Sequence, residues 1–292
     1  MSVDILQEKI RKTKNPSMVE LCLSGADLPA YLMEEEGSAA KAYCRFSKEL
    51  LTGLKGIVPA VRVSFASFAM MGSEGLDALN SVLNTARELK YYVLLDAPEL
   101  LSPKAAAMTA DAIWGEGSVY PCDGLVISGY LGSDVIKPSL KYCKEGKKDL
   151  FVVARTANKS APEIQDLLAG GRLVHAAAAD HVNRYGSDTA GKFGYTRVGV
   201  MGAASAAESL KTLRMKYPKL FILVDGYDYP NANAKNCGNA FDKFGHGAVV
   251  SGTGICSAWK DAETSDGRDF VDHAVAAAER MKKNLTRYTT VL

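Results

Sequence analysis

Eight short runs of apolar, largely β-branched residues recur along the chain: SMVELCLSG (17–25), IVPAVRVSF (57–65), YYVLLDA (91–97), GLVISGY (124–130), LFVVART (150–156), TRVGVMG (196–202), LFILVDG (220–226) and GAVVSGTG (247–254). Their near-continuous hydrophobicity suits strands covered on both faces, as in a parallel sheet. Between them the segments 73–90, 103–115, 205–217 and 267–283 repeat apolar residues at spacings of three and four, the mark of amphipathic helices. No Pro/Gly/Ser-rich linker, low-complexity block or charge run interrupts the alternation, so the pattern predicts one α/β domain over residues 1–292, with residues 1–14 as an N-terminal helical extension. Eight strand–helix units point to a (β/α)8 TIM barrel, with an open doubly wound sheet as the alternative; the gap at 157–195 has room for two helices. In either architecture the chemistry belongs at the C-terminal ends of the strands.

Those ends carry Cys22, Ser24, Arg62, Ser64, Asp96, Glu99, Ser128, Tyr130, Arg155, Thr156, Asn158, Asp225, Tyr227, Asp228, Ser251 and Thr253. Asp96 is the clearest case. It closes an apolar run and is followed by PELLSP, which offers it no cation, although a buried carboxylate needs partners. Asp96, Arg62 and Glu99 are the candidate catalytic residues. Arg155, Asn158, Ser128, Tyr130, Asp225, Tyr227 and Ser251 are the candidate ligand-binding residues. For each the plain structural alternative stands alongside: Ser or Thr at a strand end caps the next helix, and Asp pairs with a neighbouring Arg.

Composition narrows the partners. The chain of 292 residues is 47% hydrophobic and 23% charged, enough to bury a sizeable core, and its net charge of +2 gives no global attraction to nucleic acid or an anionic membrane. Asp4 and Glu8 stand where a signal peptide would have its apolar stretch, and no run approaches the ~18 apolar residues of a membrane span, so a cytoplasmic location is expected. Cys22, Cys44, Cys122, Cys143, Cys237 and Cys256 form no CxxC pair, which argues for reduced thiols and against a zinc site.

Several segments together resemble the longer bacterial subgroup of the orotidine 5′-phosphate decarboxylases: NPSMVELCLSGADLP, IVPAVRVSFASFAMMGSEGLDALNSVLNTARELKYYVLLDA, WGEG at 114–117, GYLGSDVIKPSLKYC and FVVARTANKSAPEIQDL. The resemblance covers nearly the whole chain in consistent order. It implies a (β/α)8 barrel, a homodimer with active sites near the subunit interface, and decarboxylation of orotidine monophosphate to uridine monophosphate in pyrimidine biosynthesis, without metal or organic cofactor. The family handles the carbanion at C6 with an Asp-x-Lys-x-x-Asp motif after strand three, whose Lys stabilises the developing charge and supplies the proton.

The same resemblance exposes departures. Matching Asp96 to the first Asp of the motif places Pro98 at the Lys and Leu101 at the second Asp. Arg62 falls at a second family lysine and Cys22 at the strand-one Asp, while no Arg follows Ser251 where the family grips phosphate. Asp225 and Asp228 add negative charge there, with Lys235 as a possible compensation, and Lys104 lies six residues beyond Pro98 in the next helical segment. Three functions remain open: a non-decarboxylating homologue with a binding, regulatory or partner-subunit role; a barrel enzyme repurposed for a non-phosphorylated substrate through Asp96, Glu99 or Arg62; and a genuine decarboxylase. The expected partners are a small molecule at the barrel mouth and a second copy of the chain, docked through helices and loops near the ends of strands three and four such as SPKAAAMTADAIW; a heterodimer with a paralogue stays open.

Overall fold

The structure is a computed structural model that describes residues 2–100, 102–145, 148–262 and 265–291. Eight parallel strands close a barrel: β1 (Ser17–Leu21), β2 (Ala60–Ser64), β3 (Tyr92–Asp96), β4 (Gly124–Ser128), β5 (Asp149–Val153), β6 (Thr196–Ala203), β7 (Leu220–Asp225) and β8 (Ala248–Ser251). Each strand pairs with its neighbours in sequence, and β8 closes on β1. All eight lie within or beside the expected apolar runs, and the closed barrel replaces the open-sheet alternative.

Period-two alternation sorts the strand residues into two cores. Val61, Val63, Val93, Leu95, Leu125 and Ile127 face outward and pack with the surrounding helices. Met18, Ala60, Tyr92, Leu94, Val126, Phe151, Phe221, Leu223 and Val250 fill the barrel interior. The N-terminal helix Ser2–Thr13 closes the bottom of that interior with Val3, Leu6 and Ile10, spaced by three and four as one buried face requires. Asp4 fixes the helix by accepting hydrogen bonds from the backbone N–H groups of Lys192 (3.1 Å) and Phe193 (3.3 Å).

Helices Gly72–Glu88, Ala106–Trp114, Ala207–Lys216 and Phe270–Leu285 occupy the four expected segments. The segment between β5 and β6 holds the two helices it has room for, one of them a single turn, and adds a hairpin. The long helix is Val174–Gly186, the single turn is Pro162–Gln165, and the hairpin pairs Leu168–Ala169 with Arg172–Leu173. Gly170 and Gly171 make that hairpin possible, because both adopt positive φ (59° and 79°), which suits the type I′ turn that matches strand twist. No helix among the described residues is long and apolar enough to cross a membrane.

Candidate functional site

The inward-facing columns of four strands each reach a charged residue at the upper end of the barrel. Above Met18 on β1 stands Glu20, above Ala60 on β2 stands Arg62, above Leu94 on β3 stands Asp96, and above Leu223 on β7 stands Asp225. Parallel pairing sets Glu20 directly beside Arg62 and Asp96 beside Ser64, two residues further up β2, and the long Arg62 side chain brings the acids of three strands together. A cleft of about 370 Å³ opens above them, lined by Glu20, Cys22, Arg62, Asp225, Asp228 and Thr253 among others.

Arg62 is the hub. It is 4% exposed, and its Nη2 donates both to Glu20 Oε1 (2.5 Å) and to Asp225 Oδ1 (2.6 Å). Nη1 donates to the Met201 sulfur at 3.1 Å. Nε lies 4.0 Å from Asp96 Oδ2 and makes no hydrogen bond. The cation that the residues after Asp96 fail to provide therefore comes from the adjacent strand.

One guanidinium cannot neutralise three carboxylates. Burial pushes Glu20 up to about 7, with Asp225 and Asp96 adding to the rise and Arg62 opposing it. Burial likewise pushes Asp96 up to about 6, again opposed by Arg62 and reinforced by Asp225 and Glu99. Burial disfavours the charge on Arg62, but the fields of Asp225, Glu20 and Asp96 outweigh it and keep the guanidinium protonated. The mouth is thus net negative, with acids that exchange protons near neutral pH. Among the described residues no three His, Cys, Asp or Glu side chains are grouped to hold a metal ion.

A second feature lies at the rim. Gly226, at φ +74°, turns the chain sharply after β7, a conformation that glycine adopts without strain. The turn brings the Asp228 carboxylate onto the end of β8. Its Oδ1 accepts from the Ser251 hydroxyl (2.7 Å) and its Oδ2 from the Gly252 N–H (2.7 Å). The approach is so close that a Cβ on residue 254 would sit 2.2 Å from Oδ1, so this contact requires Gly254 to be glycine. Asp228 fills a small oxyanion cradle with the chain's own carboxylate.

The other candidates are placed as follows. Asp225 joins Arg62 in lining the cleft, Asp96 stands behind Arg62 and does not line it, and Ser251 is committed to Asp228. Glu99 sits exposed on the short turn Pro98–Leu100 and acts on Asp96 only through its charge. Arg155 is directed away from the cleft: Nε and Nη2 clamp Asp166 (2.8 and 2.9 Å) and Nη1 donates to the Thr156 carbonyl, making it an internal strut. Asn158 accepts from Thr156 Oγ1 (2.5 Å), Ser128 Oγ accepts the Tyr130 N–H (3.4 Å), and the Tyr130 hydroxyl donates to the Ala154 carbonyl. Tyr227 packs into the outer core. Ser64 caps the next helix through the Ser67 N–H (3.3 Å), the structural role open to any strand-end serine. Lys104 and Lys235 are exposed and do not line the cleft, and Leu101 lies outside the described residues.

Sequence reading missed Glu20. Its signal was present: an acid two residues after Met18 in a strand otherwise apolar, hence on the same inward face.

No family model matches the chain. Curated relatives include an orotidine 5′-phosphate decarboxylase from Rhodopirellula baltica, 30% identical over 86% of this chain and 86% of its own length. Another, from Clostridium perfringens, is 29% identical over 98% of both chains. Among solved structures, the OMP decarboxylase of Leishmania donovani superposes with a TM-score of 0.74 at 23% identity, covering 99% of this chain and 98% of the other, a likeness of fold.

Proposed function

We propose that this chain, which belongs to the orotidine 5′-phosphate decarboxylase family, does not decarboxylate orotidine monophosphate and uses its barrel mouth to bind a small polar ligand without a phosphate. The observation that carries this reading is the Asp228 carboxylate seated on Ser251 and Gly252, which leaves those donors no capacity for an external anion. Electrostatics support it. Two like charges about 4 Å apart repel by roughly 4 kcal/mol at an effective dielectric constant of 20, and the substrate's phosphate would meet Asp225 and Asp228.

The chemistry points the same way. Stabilising a carbanion calls for a cationic proton donor aimed at the reacting carbon. Arg62 is the one cation among the residues lining the cleft; it stays protonated and is pinned by two carboxylates. Pro98, two residues after Asp96, has no side chain that could donate a proton. The names of the relatives favour a second reading, decarboxylation itself, and the near-neutral titration of Glu20 and Asp96 favours a third, a repurposed proton-transfer enzyme.

The deciding experiment follows the absorbance of orotidine monophosphate with protein purified from a host lacking its own decarboxylase. No turnover above buffer is expected, and calorimetry with uridine monophosphate should give a dissociation constant weaker than about 1 mM. Turnover comparable to that of a family decarboxylase assayed in parallel overturns the proposal. A companion variant tests the cradle. Asp228→Ala frees the Ser251 and Gly252 donors and removes a negative charge, so its affinity for uridine monophosphate should rise at least about tenfold over wild type, corresponding to one regained phosphate contact. An unchanged affinity would show that Asp228 does not exclude phosphate.

A further inference from the structure

At the opposite end of the barrel from Arg62, a second cleft of about 320 Å³ opens between the N-terminal helix and the loops entering β2 and β3. Three segments remote in sequence supply its cations: Lys9 and Lys12 from the helix, Lys55 from the loop before β2, and Lys90 from the loop before β3. No carboxylate lines it among the described residues. Its remaining walls include Val58, Pro59, Leu89 and Tyr91, an apolar floor beneath a basic rim.

The loops are held in place. The Tyr91 hydroxyl, in a buried side chain, donates to the Leu51 carbonyl at 2.6 Å and ties the loop before β3 to the helix preceding β2. Lys9 Nζ donates to the Lys90 carbonyl, joining the helix to the same loop. Lys90 itself adopts φ +69° directly after the helix Gly72–Glu88 and Leu89, a left-handed position that glycine or asparagine usually occupies. A lysine there carries backbone strain and places a further cation at the rim.

The charges are not balanced from within the cleft. Burial pushes the ammonium of Lys9 down from its usual range; of the surrounding charges Asp123 opposes the fall most, Lys12 and Lys90 add to it, and Glu8 opposes it weakly. Glu8 is engaged by Lys192, and Asp123 accepts the Val93 N–H at 2.8 Å. A net charge of only +2 for the whole chain makes this concentration of lysines local and not a reflection of general basicity.

We infer that this cleft is a binding site for a small organic polyphosphate of the nucleoside di- or triphosphate class, with phosphates on Lys9, Lys12, Lys55 and Lys90 and the ring system against Val58, Pro59, Leu89 and Tyr91. Its volume is that of a small-molecule pocket, and an anion with several charges relieves the mutual repulsion of the lysines. Being at the bottom of the barrel, the site is separate from the Arg62 cleft and does not depend on what binds there.

The test is calorimetry on the full chain with inorganic pyrophosphate and with ATP, at low salt and at about 0.3 M salt. ATP should bind with a dissociation constant on the order of 100 µM at low salt, pyrophosphate more weakly because it leaves the apolar floor uncovered, and both should weaken with salt. The triple variant Lys12→Gln, Lys55→Gln, Lys90→Gly should lose at least tenfold in ATP affinity. Its thermal midpoint should not fall, since glycine adopts the left-handed position of residue 90 without strain. Wild-type affinity weaker than about 1 mM for both probes overturns the assignment, as does full retention of ATP binding by the variant, which would place the nucleotide elsewhere. Binding to phosphatidylcholine–phosphatidylserine vesicles without binding to either soluble probe also overturns it, in favour of a surface contact.

Discussion

Replacing Arg62 by methionine is expected to destabilise the protein by roughly 3–5 kcal/mol, the range seen when one partner of a buried ion pair is removed and its counter-charges are left behind. The side chain of Arg62 is 5% exposed, and those of Glu20, Asp225 and Asp96 are 16%, 16% and 17% exposed, so water solvates none of them well. Methionine fills a similar volume, so the loss reports charge more than cavity. Without the guanidinium, three carboxylates at the barrel mouth face one another, and each must either protonate or repel the others. Urea unfolding monitored by circular dichroism at pH 7.5 measures the effect. Combining Arg62→Met with Glu20→Gln and Asp225→Asn should recover most of the loss, because the uncompensated charges go with their cation; this non-additivity is the signature of coupled sites. A loss below about 1 kcal/mol for Arg62→Met alone would mean that the acids find other partners and that Arg62 is not the hub.

This cluster also shows what a sequence can and cannot disclose. The strands were legible because each is a dense apolar run bounded by polar or turn residues, and eight such runs separated by helical segments leave few architectures. The helix Ala39–Gly53 is as legible as the others, since Tyr43, Phe46, Leu50 and Leu51 fall at helical spacing and Lys41, Arg45, Lys48 and Glu49 stand on the opposite face, whereas the two-turn helix Ala30–Glu36 buries Leu32 and leaves little periodic signal. The site was legible only in part, because its geometry depends on register. Nothing local to Asp96 reveals that Arg62, 34 positions earlier, is its cation. That follows only from the pairing of β2 with β3 and from which column faces inward.

Arg155 is the converse case. It lies two residues beyond the end of β5, so its place after a strand marks it as a rim residue, yet its guanidinium binds Asp166, eleven residues on, in a segment with irregular structure. Side-chain direction after a strand end is set by the loop that follows. Asp228 illustrates the same point in the other direction. Its charge was evident, but only the turn at Gly226 and the bare backbone at Gly254 decide that the carboxylate folds back onto Ser251 and Gly252 instead of facing solvent.

The crowding of acids on Arg62 has a measurable pH signature. Glu20 titrates at about 7 in the folded protein against an ordinary value of 4.5, and Asp96 at about 6 against 3.8. Because the folded-state values are raised, the folded protein holds more protons than the unfolded chain between these limits, and unfolding free energy falls as pH rises through the window. For Glu20 the penalty is absent below about 4.5 and complete above about 7. Each pKa unit corresponds to about 1.4 kcal/mol, which sets an upper bound near 3.5 kcal/mol; partial solvent access and sharing of Arg62 with Asp225 bring the expected value to about 2 kcal/mol.

Glu20→Gln isolates this effect, since the amide resembles the protonated acid and its oxygen can still accept from Arg62 Nη2, while Asp225 keeps the guanidinium paired. The variant should match wild type near pH 4.5 and exceed it by about 2 kcal/mol at pH 8, with most of the divergence between pH 5 and 7. Paired urea titrations across that range measure the difference and cancel every group common to both proteins. A gap that does not change with pH, or a wild type more stable at pH 8, would mean that the ion pair with Arg62 outweighs desolvation and that Glu20 is charged at all working pH values. In that case the mouth would carry its full set of negative charges at neutral pH, and the ligand suited to it would have to be cationic.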